Sequence, residues 1–257
     1  MSKLLGKRAL VTAGAQGIGL AICRHLLRAG CDVFVHYNAS AEAAHALVQE
    51  AATLGRQCAN LRGDLSRTED CEAVVAAAAA FLGGVDVLVN NAGSLIGRRA
   101  FGEADDDFWA RTISLNVGSV RKTTRAALPH LTAAARTRGG ASIVNLSSLA
   151  GRKGGHAGSL AYATAKGAVL TFTRALAAEL GPLGIRVNAL APGLILGTQF
   201  HTTHTTPESA QATVATIPLG RAGTADDVAR AAVFLAGEFD GFINGATLDI
   251  NGGVYCA

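Results

Sequence analysis

The chain has 257 residues and a net charge of only +4 at pH 7, with its basic residues spread in small groups. This pattern gives no reason to expect nucleic-acid binding, and no apolar run is long enough to span a bilayer. The five cysteines are odd in number and lack metal-ligand spacing, so we expect free thiols and no bound metal. We therefore expect a single cytoplasmic α/β domain over residues 1–257.

The first recognisable feature is an apolar run over residues 9–12 that ends in a glycine-rich turn, with helical spacing of apolar residues up to Gly30. A strand, a glycine turn and a helix in this order favour a dinucleotide site, because glycines let the backbone approach a pyrophosphate and the helix N-terminus attracts the anion. The alternative is a tight turn without a ligand. The candidate cofactor residues here are Gly14, Gln16, Gly17, Ile18 and Gly19.

The second predicted strand, residues 32–36, leads to the position that meets the adenosine ribose in dinucleotide-binding sheets. A carboxylate there would bind the 2′-hydroxyl and repel a 2′-phosphate, but this chain has Tyr37 and Asn38. No acidic side chain excludes NADP(H), and no nearby Arg or Lys in the sequence binds its phosphate. We therefore favour NADP(H) as the cofactor, and NAD(H) stays an alternative.

The rest of the chain alternates between helical and strand patterns. The predicted helices cover residues 41–54, 69–81, about 105–137, 159–180 and 226–235, and the predicted strands cover residues 57–62, 85–89, 141–146, 185–190 and 246–250. Asp105 to Asp107 predict an N-cap and first-turn acids. Asn116 lies inside a predicted helix although it is a poor helix former, so it either bonds solvent, distorts the helix or serves chemistry. The alternation predicts a mostly parallel sheet covered by helices on both faces.

Polar and small residues follow the predicted strands at their carboxyl ends, where open α/β sheets bind ligands. Asp64 and Leu65 follow one strand, and Asn91, Ala92 and Gly93 follow the next. The Ala-Gly pair suits close passage of a cofactor. For Asn91 a capped turn is an equally good interpretation.

Tyr162 and Lys166 lie one turn apart on one face of a predicted helix, and Ser148 follows the strand before it. A neighbouring ammonium favours the ionised form of a phenol, whose ordinary pKa is about 10. Such a pair suits proton transfer at a carbonyl/alcohol couple. On its own the pair is a common chance occurrence, so its meaning depends on the other motifs.

Residues 194–218 have little apolar periodicity and many Thr and His residues, which is typical of a mobile lid over a substrate site. We interpret His201 and His204 as surface or substrate contacts, because two histidines without further ligands rarely bind a metal.

In register, these motifs resemble those of the short-chain dehydrogenase/reductase family in its single-domain form. The likeness runs from about residue 7 to residue 253 and rests on the glycine turn, Asp64, residues 90–93, Asn116, Ser148, Tyr162, Lys166 and Pro192-Gly193. It implies a Rossmann-type, doubly wound parallel sheet of seven strands and a nicotinamide cofactor. Three details differ: Gln16 replaces a basic residue that many NADP-dependent members carry, the gap from Ser148 to Tyr162 is one residue longer, and Gly197 occupies the place of an expected threonine.

The resemblance also implies a role for each matched residue. Tyr162 would be the general acid/base, Lys166 would lower its pKa and hold the nicotinamide ribose, and Ser148 would position the substrate oxygen. Asn116 would hold a water in the proton relay. Further cofactor contacts are expected from Asp64 to the adenine, from Asn91 on the adenosine side, and from Pro192, Gly193, Ile195 and Thr198 near the carboxamide.

The function that the resemblance implies is reduction of a ketone or oxidation of a secondary alcohol. The nearest likeness is to 3-oxoacyl-acyl-carrier-protein reductases and to sugar or polyol dehydrogenases, so the expected partner is a small carbonyl or alcohol substrate. The alternative from another class is a non-catalytic nucleotide sensor or scaffold protein, because one fold can serve different functions. The resemblance also implies a homotetramer built on the Tyr/Lys helix and the last helix and strand. The small-residue face made of Ala161, Ala165, Ala168 and Ala175 would permit close packing of helices, and it would equally suit an ordinary core.

Overall fold

A computed structural model describes residues 4–237 and 241–256 of the chain. These residues form one seven-stranded sheet in the order β3-β2-β1-β4-β5-β6-β7, and every neighbouring pair is parallel. The predicted seven-stranded, doubly wound sheet is therefore confirmed. The strands are β1 (Arg8–Val11), β2 (Asp32–Tyr37), β3 (Cys58–Arg62), β4 (Val87–Asn90), β5 (Ala141–Leu146), β6 (Ile185–Pro192) and β7 (Thr247–Ile250).

Helices connect the strands and cover both faces of the sheet. Alternate residues of β1 enter different cores: Ala9 and Val11 pack with one set of helices, and Leu10 packs with the other. The helices are α1 (Gly17–Arg28), α2 (Ala41–Thr53), α3 (Thr68–Leu82), α4 (Asp106–Ile113), α5 (Ser119–Thr137), α6 (Ala150–Lys153), α7 (Leu160–Leu180), α8 (Gln199–His204), α9 (Pro207–Val214) and α10 (Ala225–Ala236). Within the described ranges no helix is both long and apolar enough to cross a membrane.

The helix expected over residues 105–137 is divided by one π-helical turn, Ser114–Gly118, between α4 and α5. Asn116 lies in this turn, and its Nδ2 donates to Thr112 O at 3.0 Å and to Ser94 O at 2.9 Å. The side chain of Asn116 thus bonds the Thr112 carbonyl, which in a regular α-helix accepts from the backbone N–H of residue 116. This competition explains the local distortion. The expected N-cap at Asp105 is confirmed, because its carboxylate accepts from Phe108 N at 2.7 Å.

Two further segments differ from the sequence-based expectation. Residues 194–218 contain the short helices α8 and α9 where an irregular lid was predicted, and Thr206 caps α9 by accepting from Ser209 N at 3.2 Å. The four-residue helix α6 follows Ser148. Helices this short show too few turns for apolar periodicity to reveal them.

The order of the strands places a crevice above β1 and β4. From this pair the chain runs to β2 and β3 on one side and to β5, β6 and β7 on the other. The carboxyl ends of the strands at such a switch point diverge into opposite loops and leave a ligand-binding opening. The glycine turn and the residues after β4 and β5 meet there.

Candidate active site

The glycine turn after β1 is packed so tightly that two of its residues are constrained. A β-carbon at Gly19 would lie 2.2 Å from Ala13 O and 2.5 Å from Asn91 Nδ2. Ala13 itself has a φ of 48°. Asn91 holds the turn, because its Nδ2 donates to Thr12 O at 3.1 Å and to Ala13 O at 3.0 Å. The side chain of Asn91 therefore supports the turn that sequence analysis assigned to the cofactor.

The N-terminus of α1 faces the crevice without a side-chain cap. Gln16 occupies the N-cap position but makes no capping hydrogen bond, and the first turn contains no acidic residue. Instead, Gln16 Oε1 accepts from Ser40 Oγ at 3.0 Å. Backbone amides at Gly17 and Ile18 are thus available to an anion, supported by the helix dipole. The turn and the helix fit the pyrophosphate of a dinucleotide.

The structure brings Tyr162, Lys166 and Ser148 to the same cavity. Lys166 is only 3% exposed, and its Nζ donates to Leu146 O at 2.9 Å and lies 5.8 Å from the centre of the Tyr162 ring. Ser147, which sequence analysis did not assign, donates from Oγ to Lys166 O at 2.7 Å. These two hydrogen bonds connect the carboxyl end of β5 to α7.

Burial shifts both titratable groups toward their neutral forms. It raises the pKa of Tyr162 to about 12, while the interaction with the Ser148 hydroxyl acts in the opposite direction. It lowers the pKa of Lys166 to about 8. The Lys166 ammonium was expected to lower the phenol pKa. Burial instead raises the pKa of Tyr162, because desolvation is the larger effect.

Gly93 and Asn116 meet directly beside Lys166. A β-carbon at Gly93 would lie 2.7 Å from Asn116 Oδ1 and 2.8 Å from Lys166 Nζ. Asn116 Oδ1 accepts from Ser94 N at 3.1 Å, and both hydrogens of Nδ2 are used for Ser94 and Thr112 carbonyls. The side chain thus retains only one acceptor position at Oδ1 for a water molecule.

A cavity of about 580 Å³ joins most of the predicted site residues. Those that line it are Gln16, Gly17, Ile18, Gly19, Asn91, Gly93, Ser148, Tyr162, Lys166, Pro192, Gly193, Ile195 and Thr198. Those outside its lining are Gly14, Tyr37, Asn38, Asp64, Leu65, Ala92 and Asn116. The side chains of Leu65 and Ala92 are buried in the core, at 3% and 7% exposure, so any contact with a ligand must come from their backbone.

Tyr37, Asn38 and Asp64 lie at the carboxyl ends of β2 and β3, where the adenosine end of a dinucleotide is expected. Asp64 Oδ1 accepts from Ser66 N at 2.9 Å, and hydrogen bonds from Ser66 lower its pKa. Asp64 therefore remains a charged acceptor next to the crevice.

Arg62 is a residue at this end that sequence analysis missed. The parallel register pairs Tyr37 with Arg62, and Arg62 Nε donates to Asn38 O at 3.0 Å. A cation therefore lies beside Asn38, which the neighbouring residues in the sequence did not indicate. Arg62 belongs to the neighbouring strand, so only the register of the sheet reveals the proximity.

His36 is a second residue that sequence reasoning did not identify. It is 2% exposed, its Nδ1 accepts from Ala13 N at 3.0 Å, and its Nε2 bonds Gly63 O at 3.0 Å. This pattern requires the neutral tautomer with hydrogen on Nε2. Burial lowers the pKa of His36 and favours the same form. His36 thus joins the glycine turn to the end of β3.

The segment 194–218 closes one side of the cavity. Phe200 lies against Tyr162, with ring centres 5.8 Å apart, and Thr198 approaches Gly17, whose β-carbon would lie 3.4 Å from Thr198 Cβ. His201 Nε2 accepts from Ile195 N at 3.4 Å and its Nδ1 bonds Thr205 Oγ1 at 2.9 Å.

Both ring nitrogens of His201 are therefore used within the segment. Burial and the charges of His204, Arg98 and His156 lower the pKa of His201 to about 4. No group of three or more metal-ligating side chains occurs among the residues that the structure describes.

Comparison with known proteins decides the family. A family model described as enoyl-(acyl carrier protein) reductase matches residues 12–255. The chain is 40% identical over 256 residues to an acetoacetyl-CoA reductase of Rhizobium meliloti, which covers 98% of this chain and 100% of that protein. The chain belongs to the short-chain dehydrogenase/reductase family. It is accordingly an NAD(P)-dependent oxidoreductase.

Solved structures of the family superpose over nearly the whole chain. One is an NADH-dependent reductase responsible for alginate metabolism, with a TM-score of 0.92, 34% identity and full coverage of both chains. Another is a short-chain dehydrogenase from Burkholderia cenocepacia in complex with NADP, with a TM-score of 0.88, 34% identity and coverage of 98% and 99%. The first is described as NADH-dependent and the second is bound to NADP, so likeness alone does not choose between the two cofactors.

Proposed function

We propose that this enzyme reduces the ketone of a 3-oxoacyl thioester or a closely related small carbonyl compound, with Tyr162 as the proton donor. The observation that carries the proposal is the meeting of Tyr162, Ser148 and Lys166 in one cavity that opens onto an uncapped helix N-terminus. The identity to an acetoacetyl-CoA reductase supports the substrate class.

Tyr162 is in the protonated form that a proton donor needs. A phenol whose pKa is raised to about 12 is neutral at pH 7 and holds the proton that a forming alkoxide needs. Ser148 Oγ accepts from Ala150 N at 3.1 Å, and in this proposal its hydroxyl hydrogen turns from Tyr162 to the substrate oxygen when the substrate binds. Both hydroxyls then stabilise negative charge on that oxygen.

Lys166 and Asn116 complete the proton path in this proposal. The pKa of Lys166, lowered to about 8, leaves its ammonium largely protonated at pH 7, and it resupplies the proton that Tyr162 gives up. Asn116 binds a relay water through its remaining acceptor position. When bound, the nicotinamide supplies the hydride that reduces the carbonyl carbon.

NADP(H) is the proposed preference. The guanidinium of Arg62 beside Asn38 O offers two further nitrogen atoms to a 2′-phosphate, and guanidinium groups bind phosphate with charge-assisted hydrogen bonds. The remaining cofactor contacts are proposed for Gly14, Gln16, Gly17, Ile18, Gly19, Tyr37, Asp64, Leu65, Asn91, Ala92, Gly93, Pro192, Gly193, Ile195 and Thr198.

The test follows oxidation of NADPH and NADH with acetoacetyl-CoA, simple ketones and keto-sugars. Tyr162→Phe is expected to lower kcat by about 10²-fold to 10⁴-fold while the cofactor still binds. Tyr255→Phe, which removes a phenol hydroxyl outside the cavity lining, is the matched control. Cofactor binding without turnover of any substrate would favour a sensor or scaffold instead.

We further propose a homotetramer in the cytoplasm. Ala161 and Ala165 are buried within the fold, so only Ala168 and Ala175 of the expected small-residue face are exposed. An exposed face of small residues on α7 suits close packing against a second copy. Light scattering should give four chains per particle, and Ala168→Glu should reduce that number. A wild-type monomer would contradict the proposal.

A further inference from the structure

Helix α8 runs along the cavity, and its residues contact a different part of the lining at each end. Thr198, just before the helix, approaches the glycine turn at Gly17. Phe200 lies over Tyr162, with ring centres 5.8 Å apart. The last residue of the helix, His204, accepts through its carbonyl from Arg98 Nη2 at 3.4 Å. The helix rises about 1.5 Å per residue, so Arg98 is bound about 6 Å beyond Phe200 along its axis.

This order separates the cavity into three zones. Gly17 and Thr198 belong to the end that fits a pyrophosphate, Tyr162 and Phe200 mark the place of proton transfer, and Arg98 lies at the far end. A substrate whose carbonyl meets Tyr162 would extend from there toward Arg98, on the side away from Gly17.

Among the residues that the structure describes, Arg98 has no carboxylate partner. Arg98 donates from Nη1 to Ala157 O at 3.1 Å and from Nη2 to His204 O at 3.4 Å, and both acceptors are neutral. Lys153 also lines the cavity, and no ion pair of Lys153 occurs within residues 4–237 and 241–256. No Asp or Glu occurs among the described residues of the lining.

We propose that the far end of the cavity binds an anionic group of the substrate, with Arg98 as the main contact. Lys153, which also lines the cavity, adds positive charge. The inference rests on the proposed function for the position of the reacting carbonyl. It adds that the substrate carries negative charge beyond the carbonyl, on the side away from the nicotinamide.

The physical reason is positive charge on two exposed side chains that line the cavity and that no carboxylate pairs with among the described residues. Walls of low dielectric constant concentrate the field of the two cations and raise the local concentration of anions. The carbonyls of Ala157 and His204 hold the Arg98 guanidinium in place, so little side-chain entropy is lost when an anion binds. Its remaining N–H groups are donors for a carboxylate or a phosphate.

The neighbouring arginine gives a matched comparison. Arg99 Nη1 pairs with Asp105 Oδ2 at 3.2 Å, and its guanidinium lies 5.0 Å from the centre of the Phe108 ring. Arg99 is absent from the cavity lining. The two arginines therefore differ in whether their charge is already paired.

Two parts of a substrate could supply the anionic group. The anion is either the carboxylate of a short oxo acid or a phosphate of the arm that carries a 3-oxoacyl thioester. A carboxylate would bind within a few bonds of the ketone. A phosphate of the arm would lie farther away and require the thioester to leave the cavity past Arg98.

The first experiment measures binding without turnover. Thermal unfolding is recorded with butyrate and with butyramide, which have nearly the same shape but differ in charge. Butyrate is expected to raise the Tm of the wild type and of Arg99→Gln but not of Arg98→Gln, and butyramide should raise none. Equal effects of butyrate and butyramide, or a full butyrate effect in Arg98→Gln, would overturn the proposal.

The second experiment compares charged and neutral substrates of one ketone. Arg98→Gln should raise KM about 10-fold or more for the anionic member, with kcat nearly unchanged, and leave KM for acetoacetamide unaltered. A KM change for acetoacetate identifies a carboxylate. A change for acetoacetyl-CoA, without one for the neutral acetoacetyl-N-acetylcysteamine, identifies a phosphate. An equal KM change for charged and neutral ketones contradicts an anion site.

The two experiments keep the separate proposals distinguishable. If the wild type reduces none of these ketones but butyrate binds through Arg98, the proposed function fails and the anion site stands. If ketones are reduced and neither result depends on Arg98, the proposed function stands and the anion site fails.

Discussion

Gly93 lies against Asn116 so closely that a β-carbon on the glycine would come 2.7 Å from Oδ1 of the asparagine. The same carbon would lie 2.8 Å from Lys166 Nζ. The absence of a side chain at residue 93 is therefore what allows the π-helical turn and the lysine to approach one another.

Gly93→Ala is expected to lower kcat about 10-fold to 100-fold. The added methyl group displaces Lys166 or Asn116, and a shift of about 1 Å in a catalytic arrangement has effects of this size. Steady-state kinetics at saturating cofactor measure it. Gly97→Ala is the control, because a β-carbon there would lie 3.6 Å from Phe108 Cε2, an ordinary contact. Equal activity of the two variants would show that this approach has no catalytic role.

Arg62→Gln is expected to raise KM for NADPH about 10-fold or more while leaving KM for NADH nearly unchanged. The variant removes the guanidinium beside Asn38 but keeps a polar side chain at the end of β3. Arg56→Gln is the control. Arg56 precedes the first residue of β3, at the end away from Asn38, and its Nη1 donates to Gly30 O at 3.2 Å. If Arg62→Gln weakens both cofactors equally, Arg62 does not select between them.

The sequence was sufficient for features that depend on neighbouring residues. The glycine turn, the polar residues after β3 and β4, and the helical spacing of Tyr162 and Lys166 are local patterns, so their positions in the crevice follow from the parallel sheet. Arg62 and Arg98 were not predicted to have a role. Each acquires one only through a contact with a residue distant in sequence, Asn38 for the first and His204 for the second.

Contacts between distant residues also explain why the π-helical turn at Asn116 and the raised pKa of Tyr162 were not predicted. A polar residue in a helix indicated that Asn116 was unusual, but the kind of distortion depends on its bond to Ser94 in another segment. The pKa of Tyr162 depends on how deeply the fold buries the phenol, which spacing to Lys166 does not reveal.

His36 is expected to make stability depend on pH. Its folded-state pKa is lowered by burial, so the neutral ring contributes fully above the unfolded value of about 6.5, and that contribution is lost as pH falls below it. The slope is about 1.4 kcal/mol per pH unit at most for one proton. Protonation of Nδ1 also removes the acceptor that holds Ala13 N.

His36→Gln should flatten this dependence, because an amide offers a donor and an acceptor but does not titrate. Urea unfolding at pH 7 and at pH 5 gives the free energy of unfolding for the comparison. His45→Gln changes an exposed histidine of α2 and should leave the wild-type dependence intact. A slope in His36→Gln as steep as that of the wild type would place the titrating group elsewhere.

Asp86 joins β1 to β4 from within the core. The residue is 1% exposed, and its carboxylate accepts from Arg8 N at 2.8 Å, from Arg8 Nη2 at 2.8 Å and from Arg138 Nε at 3.1 Å. Burial alone would raise the pKa of this carboxyl, but the hydrogen bonds from Arg8 and the charges of both arginines hold it below its usual value. Its contribution is therefore present above the unfolded pKa of about 3.9 and lost as pH falls below it.

Asp86→Asn is expected to lower the free energy of unfolding by about 3 kcal/mol at pH 7, because it leaves the largely buried Arg8 without its counter-charge. Urea unfolding measures the loss, which should shrink as the pH approaches 3 and the wild-type carboxylate protonates. Asp107→Asn, at an exposed carboxylate in the first turn of α4, should cost less than about 1 kcal/mol. Asp86 is outside the cavity lining, so kcat of the folded variant should match the wild type. Similar losses in the two variants would mean that water, rather than Asp86, compensates the charge of Arg8.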